Sequence, residues 1–162
     1  MLAVEGQRPP YVLVGHSIGG TYMELFAKRW PDEVRGVVLV DPRPADFLAT
    51  CEAAGLDACG ITDDQLATQP AAVVAEYRAF AAAAPAQLAA AGPFGPAPVR
   101  VLTATEHPVS AAREALWASM LGAIADEAPD GAQILVRGAG HYIQVERPQV
   151  VIDTIVGVLE GE

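Results

Sequence analysis

The chain alternates between two hydrophobic periods. Residues 11–15, 35–40, 99–104 and 132–137 are short runs of β-branched and aliphatic residues bounded by glycine, proline or charge, which predicts strands. Residues 18–30, 111–127 and 148–159 repeat apolar positions three and four apart, which predicts helices. Continuous apolar runs such as Val37-Val38-Leu39-Val40 fit strands covered on both faces. Strands alternating with amphipathic helices predict an α/β fold, a parallel sheet of about four strands with flanking helices, because parallel neighbours need crossover connections. Residues 43–98 differ from this pattern. They are dense in alanine, open with Pro42-Arg43-Pro44, close with Gly92-Pro93-Phe94-Gly95-Pro96-Ala97-Pro98, and carry helical patterns around Asp63-Asp64-Gln65-Leu66 and from Val73 to Phe80. Residues 1–162 therefore read as one α/β domain with a helical insertion at 43–98 and no internal repeat.

The first strand ends in chemistry. Tyr11-Val12-Leu13-Val14-Gly15-His16-Ser17-Ile18-Gly19-Gly20 breaks abruptly from strand formers into a serine between glycines, then into a helical pattern. This is the G-x-S-x-G nucleophile elbow, with Gly15, His16 and Gly19 around the nucleophile candidate Ser17. A turn so tight predicts strained backbone angles at Ser17, with Gly15 and Gly19 present because a Cβ there would collide with the neighbouring strand or helix. The strain lifts the hydroxyl clear of the sheet. It also aims the Ile18 N–H and a helix N-terminus at the same spot, which makes Ile18 the candidate oxyanion donor.

On these residues the chain resembles the α/β-hydrolase superfamily, in particular bacterial esterase-like hydrolases. The likeness continues in the helix from Thr21 to Trp30, the stop at Pro31-Asp32-Glu33-Val34, and the strand Gly36-Val37-Val38-Leu39-Val40-Asp41-Pro42. It returns in Gly138-Ala139-Gly140-His141-Tyr142-Ile143-Gln144 ahead of Glu146-Arg147-Pro148, which looks like the loop carrying the family's catalytic histidine. The resemblance is weakest between Arg43 and Pro98, where the family places a cap over the active site, so it implies a lid that shapes substrate choice. It also implies an eight-stranded sheet whose elbow follows the fifth strand, with roughly a hundred residues ahead of it. Only residues 1–10 precede the elbow strand here, which predicts a partial α/β-hydrolase fold without the first four strands. The loop after the third strand, which gives the family its second oxyanion donor, would be missing with them.

A serine needs a base, and the base needs a carboxylate to orient it. Of three histidines, His16 reads as a packing residue pointing away from Ser17, and His107 as a solvated loop residue. His141 alone follows the last strand in a glycine-flanked loop and completes the family order of nucleophile, acid and histidine. The acid is open between two residues. The turn after the penultimate strand, Ala104-Thr105-Glu106-His107, carries histidine where the family has aspartate, with Glu106 one place early. Asp41, at the end of the strand after the elbow helix, stands where some branches of the superfamily put their acid, and is favoured over Glu106. Both strand ends lie on the edge of the sheet where ligands bind in open α/β folds.

These parts predict a serine hydrolase acting on carboxylic esters through an acyl-enzyme, with a small-molecule substrate and no cofactor. Two alternatives stand beside it: a truncated fragment, weakly active or inactive for want of half the oxyanion hole, and a small-molecule receptor on a hydrolase scaffold. Without its family neighbour, the strand from Tyr11 to Val14 would be a naked apolar edge, which predicts a homo-oligomer through that edge or a marginally stable chain.

Composition removes other classes. A net charge of −10 and a pI near 4.6 repel nucleic acid, and no Lys/Arg cluster offsets them. The first ten residues lack the basic start and apolar core of a signal peptide. The stretch from Ala79 to Gly92, interrupted by Pro85, is too short and weakly apolar to span a bilayer, so a cytoplasmic location is expected. Two cysteines, Cys51 and Cys59, make a poor zinc site and no metal is expected. Free thiols are favoured over a disulfide between them.

Overall fold

The computed structural model describes Gly6 and residues 8–161; most of the segment read for a leader lies outside the described residues. Four strands, β1 (Tyr11–His16), β2 (Val34–Val40), β3 (Val99–Ala104) and β4 (Gly131–Val136), pair in parallel in the order β1-β2-β3-β4. Helix α1 (Ile18–Arg29) and a 3-10 turn (Pro31–Glu33) connect β1 to β2. Helix α5 (Ala111–Asp126) connects β3 to β4, and α6 (Ile143–Glu146) and α7 (Pro148–Glu160) close the chain. Every strand expected from the apolar runs is present within about two residues of its predicted ends.

Period-two alternation in the two inner strands builds a core on each face. Val37, Leu39, Val99 and Val101 pack with Ala27 of α1 and Trp117, Leu121 and Ile124 of α5. Val38, Val40, Leu102 and Ala104 pack with Ile143, Val151 and Val158 on the other face. Fully burying such side chains contributes about 1.5–3 kcal/mol each. Strand β1 forms the sheet's edge, as its sequence suggested: it pairs with β2 alone among the described residues, and Val14 is 43% exposed.

The insertion holds α2 (Phe47–Ala53), α3 (Asp63–Ala67) and α4 (Ala71–Ala89). Helix α4 runs through Pro85 instead of stopping there, so that proline removes one backbone donor without ending the helix. Among the described residues no helix is long and apolar enough to cross a membrane.

The free-thiol expectation is corrected: Cys51 and Cys59, both buried, form a disulfide with their Cα atoms 5.6 Å apart. After α2 the chain reverses through Gly55 and Ala58, both at positive φ, and this brings the two sulfurs together. Such bonds persist in oxidising compartments, whereas the free-thiol reading suits a reducing one. Closing so short a loop stabilises by about 2–3 kcal/mol in the chain-entropy account. The Cys51→Ala/Cys59→Ala protein should therefore melt several degrees below the parent in oxidising buffer. Equal melting temperatures would show that packing alone holds the turn.

Candidate active site

Ser17 sits at φ 54, ψ −126, a conformation L-residues rarely adopt and one that costs about 1–3 kcal/mol. Three backbone bonds fix it there. Its N–H donates to the Val40 carbonyl at 3.2 Å, and its carbonyl accepts from the Gly20 and Arg43 N–H groups, each at 3.0 Å. A Cβ on Gly15 would run into the Gly19 carbonyl and come within 2.8 Å of the Gly20 Cα. Gly19, expected to be constrained in the same way, faces open space; the constrained position is its neighbour Gly20, where a Cβ would stand 2.7 Å from that of Pro42. The elbow thus packs against the end of β2 through Gly20. Ser17 does not use its side chain to cap α1, and Ile18, the first residue of that helix, has an N–H with no intrahelical acceptor.

Asp41 is fully buried at the end of β2, also at positive φ. Its Oδ1 accepts the Ala104 N–H and the Trp117 indole N–H, each at 3.0 Å. Its Oδ2 lies 2.7 Å from His141 Nδ1 and 2.8 Å from His107 Nε2. Burial pushes the carboxyl up, but the bonds from His107, His141 and Trp117 outweigh it and hold the group at about 2. Glu106, the other acid candidate, makes no such approach. Its N–H is tied to the Ala139 carbonyl at 3.1 Å, and its carboxylate lies beside Gly138.

His16 packs, as expected: its ring stands 4.5 Å from that of His141 and 5.4 Å from that of Tyr142, and its Nε2–H donates to the His141 carbonyl at 2.8 Å. Burial lowers its pKa, outweighing the opposing pull of that carbonyl and of Asp41. One histidine expectation is corrected. His107 is not solvated. Its side chain is 9% exposed and bridges Asp41 and Glu114, with Nδ1 2.9 Å from Glu114 Oε2. A start such as Ser110-Ala111-Ala112-Arg113-Glu114 gives no hint of this, because Glu114 reaches His107 only once α5 is folded.

The groups facing His107 are Asp41 from β2, Glu114 and the Trp117 ring from α5, and the His141 ring from the loop after β4. Burial lowers its pKa, but Asp41 and Glu114 more than offset that and raise it above the ordinary 6.5. A raised value means that the stability His107 contributes is fully present below pH 6.5 and is lost as pH climbs through the raised value. The parent protein should therefore lose stability to urea over that range, and His107→Gln should flatten the loss. Parallel pH dependence in the two proteins would refute the bridge.

Asp41, His107 and His141 bring one donor atom each within 4.8 Å of one another, a grouping a divalent cation can use. Both ring nitrogens, however, point at the single oxygen Oδ2 at hydrogen-bond distance, so shared protons hold this cluster together.

The insertion reaches these groups through Phe47, whose ring meets that of Trp117 edge-on at 4.7 Å. A cavity of about 200 Å³ between α2 and α4 is lined by Arg43, Leu48, Tyr77 and Phe80 among others, and Tyr22 of α1 meets Phe80 of α4 edge-on at 6.3 Å.

A positive-φ serine in a tight turn from β1 to α1, with a buried carboxylate bonded to the loop histidine, suits one large fold family, and sequence comparison agrees. Residues 2–154 match the alpha/beta hydrolase family, and the chain belongs to it. Over 32 residues, 20% of the chain, it is 59% identical to an uncharacterised protein of Schizosaccharomyces pombe, a match spanning 6% of that protein. Among solved structures, a monoacylglycerol lipase from Paleococcus ferrophilus shares the fold at a TM-score of 0.56 and 19% identity, covering 97% of this chain and 71% of its own. An esterase from Thermogutta terrifontis does so at 0.55 and 22%, covering 99% and 68%. E-2-(acetamidomethylene)succinate hydrolase does so at 0.53 and 21%, covering 98% and 69%.

Proposed function

We propose that the protein hydrolyses carboxylic esters through Ser17, His141 and Asp41. The observation that carries this reading is the 2.7 Å bond from the His141 ring to Asp41, a fully buried carboxylate held ionised, in a chain whose strained elbow presents Ser17. With Nδ1–H engaged by Asp41, the lone pair of His141 Nε2 is left to accept a proton.

His141 takes the hydroxyl proton as Ser17 Oγ bonds to the ester carbonyl carbon. The Ile18 N–H faces the resulting oxyanion. Collapse of the tetrahedral species expels the alcohol, which leaves with the proton from His141. Water then attacks the acyl-enzyme, its proton going to His141, and the acid departs as Ser17 recovers a proton. Asp41 stabilises the imidazolium at each stage without itself taking a proton. Lipase and esterase activities named for proteins of the same fold support an ester as the bond attacked. One oxyanion donor is typically worth about a hundred- to a thousandfold in turnover, the scale of the Ile18 N–H contribution in this reading.

The test is a panel of p-nitrophenyl esters of graded acyl length, with Ser17→Ala as the blank. Hydrolysis by the parent well above the blank supports the reading. Equal rates on every ester, with both proteins folded, overturn it.

A further inference from the structure

Arg43 and Arg113 meet across one aromatic ring. The Arg43 guanidinium stands 5.7 Å from the centroid of Phe47 and 5.6 Å from that of Tyr77. The Arg113 guanidinium stands 5.1 Å from Phe47 and 6.0 Å from Trp117. Both residues are half-buried, and each is placed by the catalytic framework. The Arg43 N–H holds the Ser17 carbonyl, two residues beyond Asp41. Arg113 lies in the first turn of α5, one turn before Trp117, whose indole N–H holds Asp41.

Little of their hydrogen-bonding capacity is used within the protein. A guanidinium carries five N–H donors, and a desolvated one is ordinarily matched to carboxylate or phosphate. In a chain of net charge −10, neither group lies within ion-pair distance of a carboxylate among the described residues. Arg43 has one long bond, from Nη2 to the Cys59 carbonyl at 3.4 Å, and Arg113 Nε is buried without a partner. The carboxylates of Asp46 and Glu52 line the cavity that Arg43 enters, without pairing with it. Burial lowers the Arg43 pKa, opposed by Tyr77 and aided by Arg113, and burial lowers that of Arg113 against the opposing pull of Glu114 and Asp57. Stacking on Phe47 explains where the two cations lie. It leaves most of their N–H donors without a protein acceptor and gathers two like charges around one ring, which a bound anion would relieve on both counts.

We propose that Arg43 and Arg113 form an anion subsite, and that the substrate is an ester carrying a second, negatively charged group, a carboxylate or a phosphate, held by this pair while Ser17 attacks the ester carbon. The proposal rests on the reading of Ser17 as nucleophile. In it, the cavity between α2 and α4 is entered from the Arg43 side, and the insertion discriminates by charge as well as by size. Hydrogen bonds to charged groups predict a preference of roughly ten- to a hundredfold over a neutral analogue.

The experiment uses Ser17→Ala protein, which leaves substrates intact, and measures binding of monoethyl adipate, diethyl adipate and the phosphate ester 2-acetoxyethyl phosphate by calorimetry. Tighter binding of either anionic ester than of the neutral diester, with the advantage abolished by Arg113→Gln and by Arg43→Gln in proteins that melt like the parent, is expected. Which anion gains more identifies the group the pair takes. Equal affinity for charged and neutral esters, or an advantage that survives both substitutions, overturns the subsite. Parent protein is then given the tighter anionic ester: binding without hydrolysis refutes the hydrolase reading and leaves the subsite standing, whereas hydrolysis without charge preference does the reverse.

Discussion

Asp41→Asn is expected to lower kcat/KM by on the order of ten-thousandfold, while Glu106→Gln changes it little. An asparagine at 41 turns a donor toward His141 Nδ1 or His107 Nε2, which now share one carboxylate oxygen at 2.7 and 2.8 Å. The imidazole loses both its orientation and the charge that stabilises its protonated form. Stability should fall too, by about 3–5 kcal/mol, because removing one member of a buried charged cluster strands the others. Circular dichroism therefore accompanies the rates, so that turnover is counted per folded molecule. The parent should also weaken in acid with a definite sign. Asp41 is held at about 2 against an ordinary 3.8, so its contribution is present above pH 3.8 and is lost as pH falls through about 2. A larger loss from Glu106→Gln than from Asp41→Asn would contradict the assignment.

Ser17 is expected to separate activity from stability. Ser17→Ala should remove on the order of a millionfold of turnover, as loss of a triad nucleophile does. Ser17→Gly should do the same to activity yet raise stability by about 1–3 kcal/mol, because glycine tolerates φ 54, ψ −126 and serine does not. Thermal melts of the three proteins read the strain directly. A Ser17→Gly protein less stable than the parent would mean that the serine contacts outweigh the strain.

The sheet was legible in the sequence because local pattern specifies it: runs such as Val37-Val38-Leu39-Val40 admit one interpretation, and the break at Gly15-His16-Ser17 locates the elbow. The place of His141, in a glycine-flanked loop after the last strand, was legible from that loop and from the resemblance to the family order, and the structure adds its bond to Asp41. Contacts between residues distant in sequence were not. His107 reaches Asp41 across 66 positions and His141 reaches it across 100, so whether the first is solvated or bonded is decided by the register of β2 against β3 and the course of α5. The histidine standing where aspartate was expected after β3 was the available signal, since an acid moved to β2 leaves that place for a partner. Gly19 and Gly20 were confused because the motif names one of them, whereas the approach of Pro42 decides which needs to be glycine. The disulfide depended on a reversal through Ala58, a residue that no turn rule places at positive φ. The pairing of Arg43 with Arg113 across Phe47 is likewise invisible until α2 and α5 meet.

The most direct test of the central claim is mass spectrometry after treatment with a fluorophosphonate, a probe that bonds to serines activated by a neighbouring base. The account predicts one labelled residue, Ser17, with the label lost in His141→Gln. A label on Ser110 or Ser119, or none on protein shown to be folded, would contradict it.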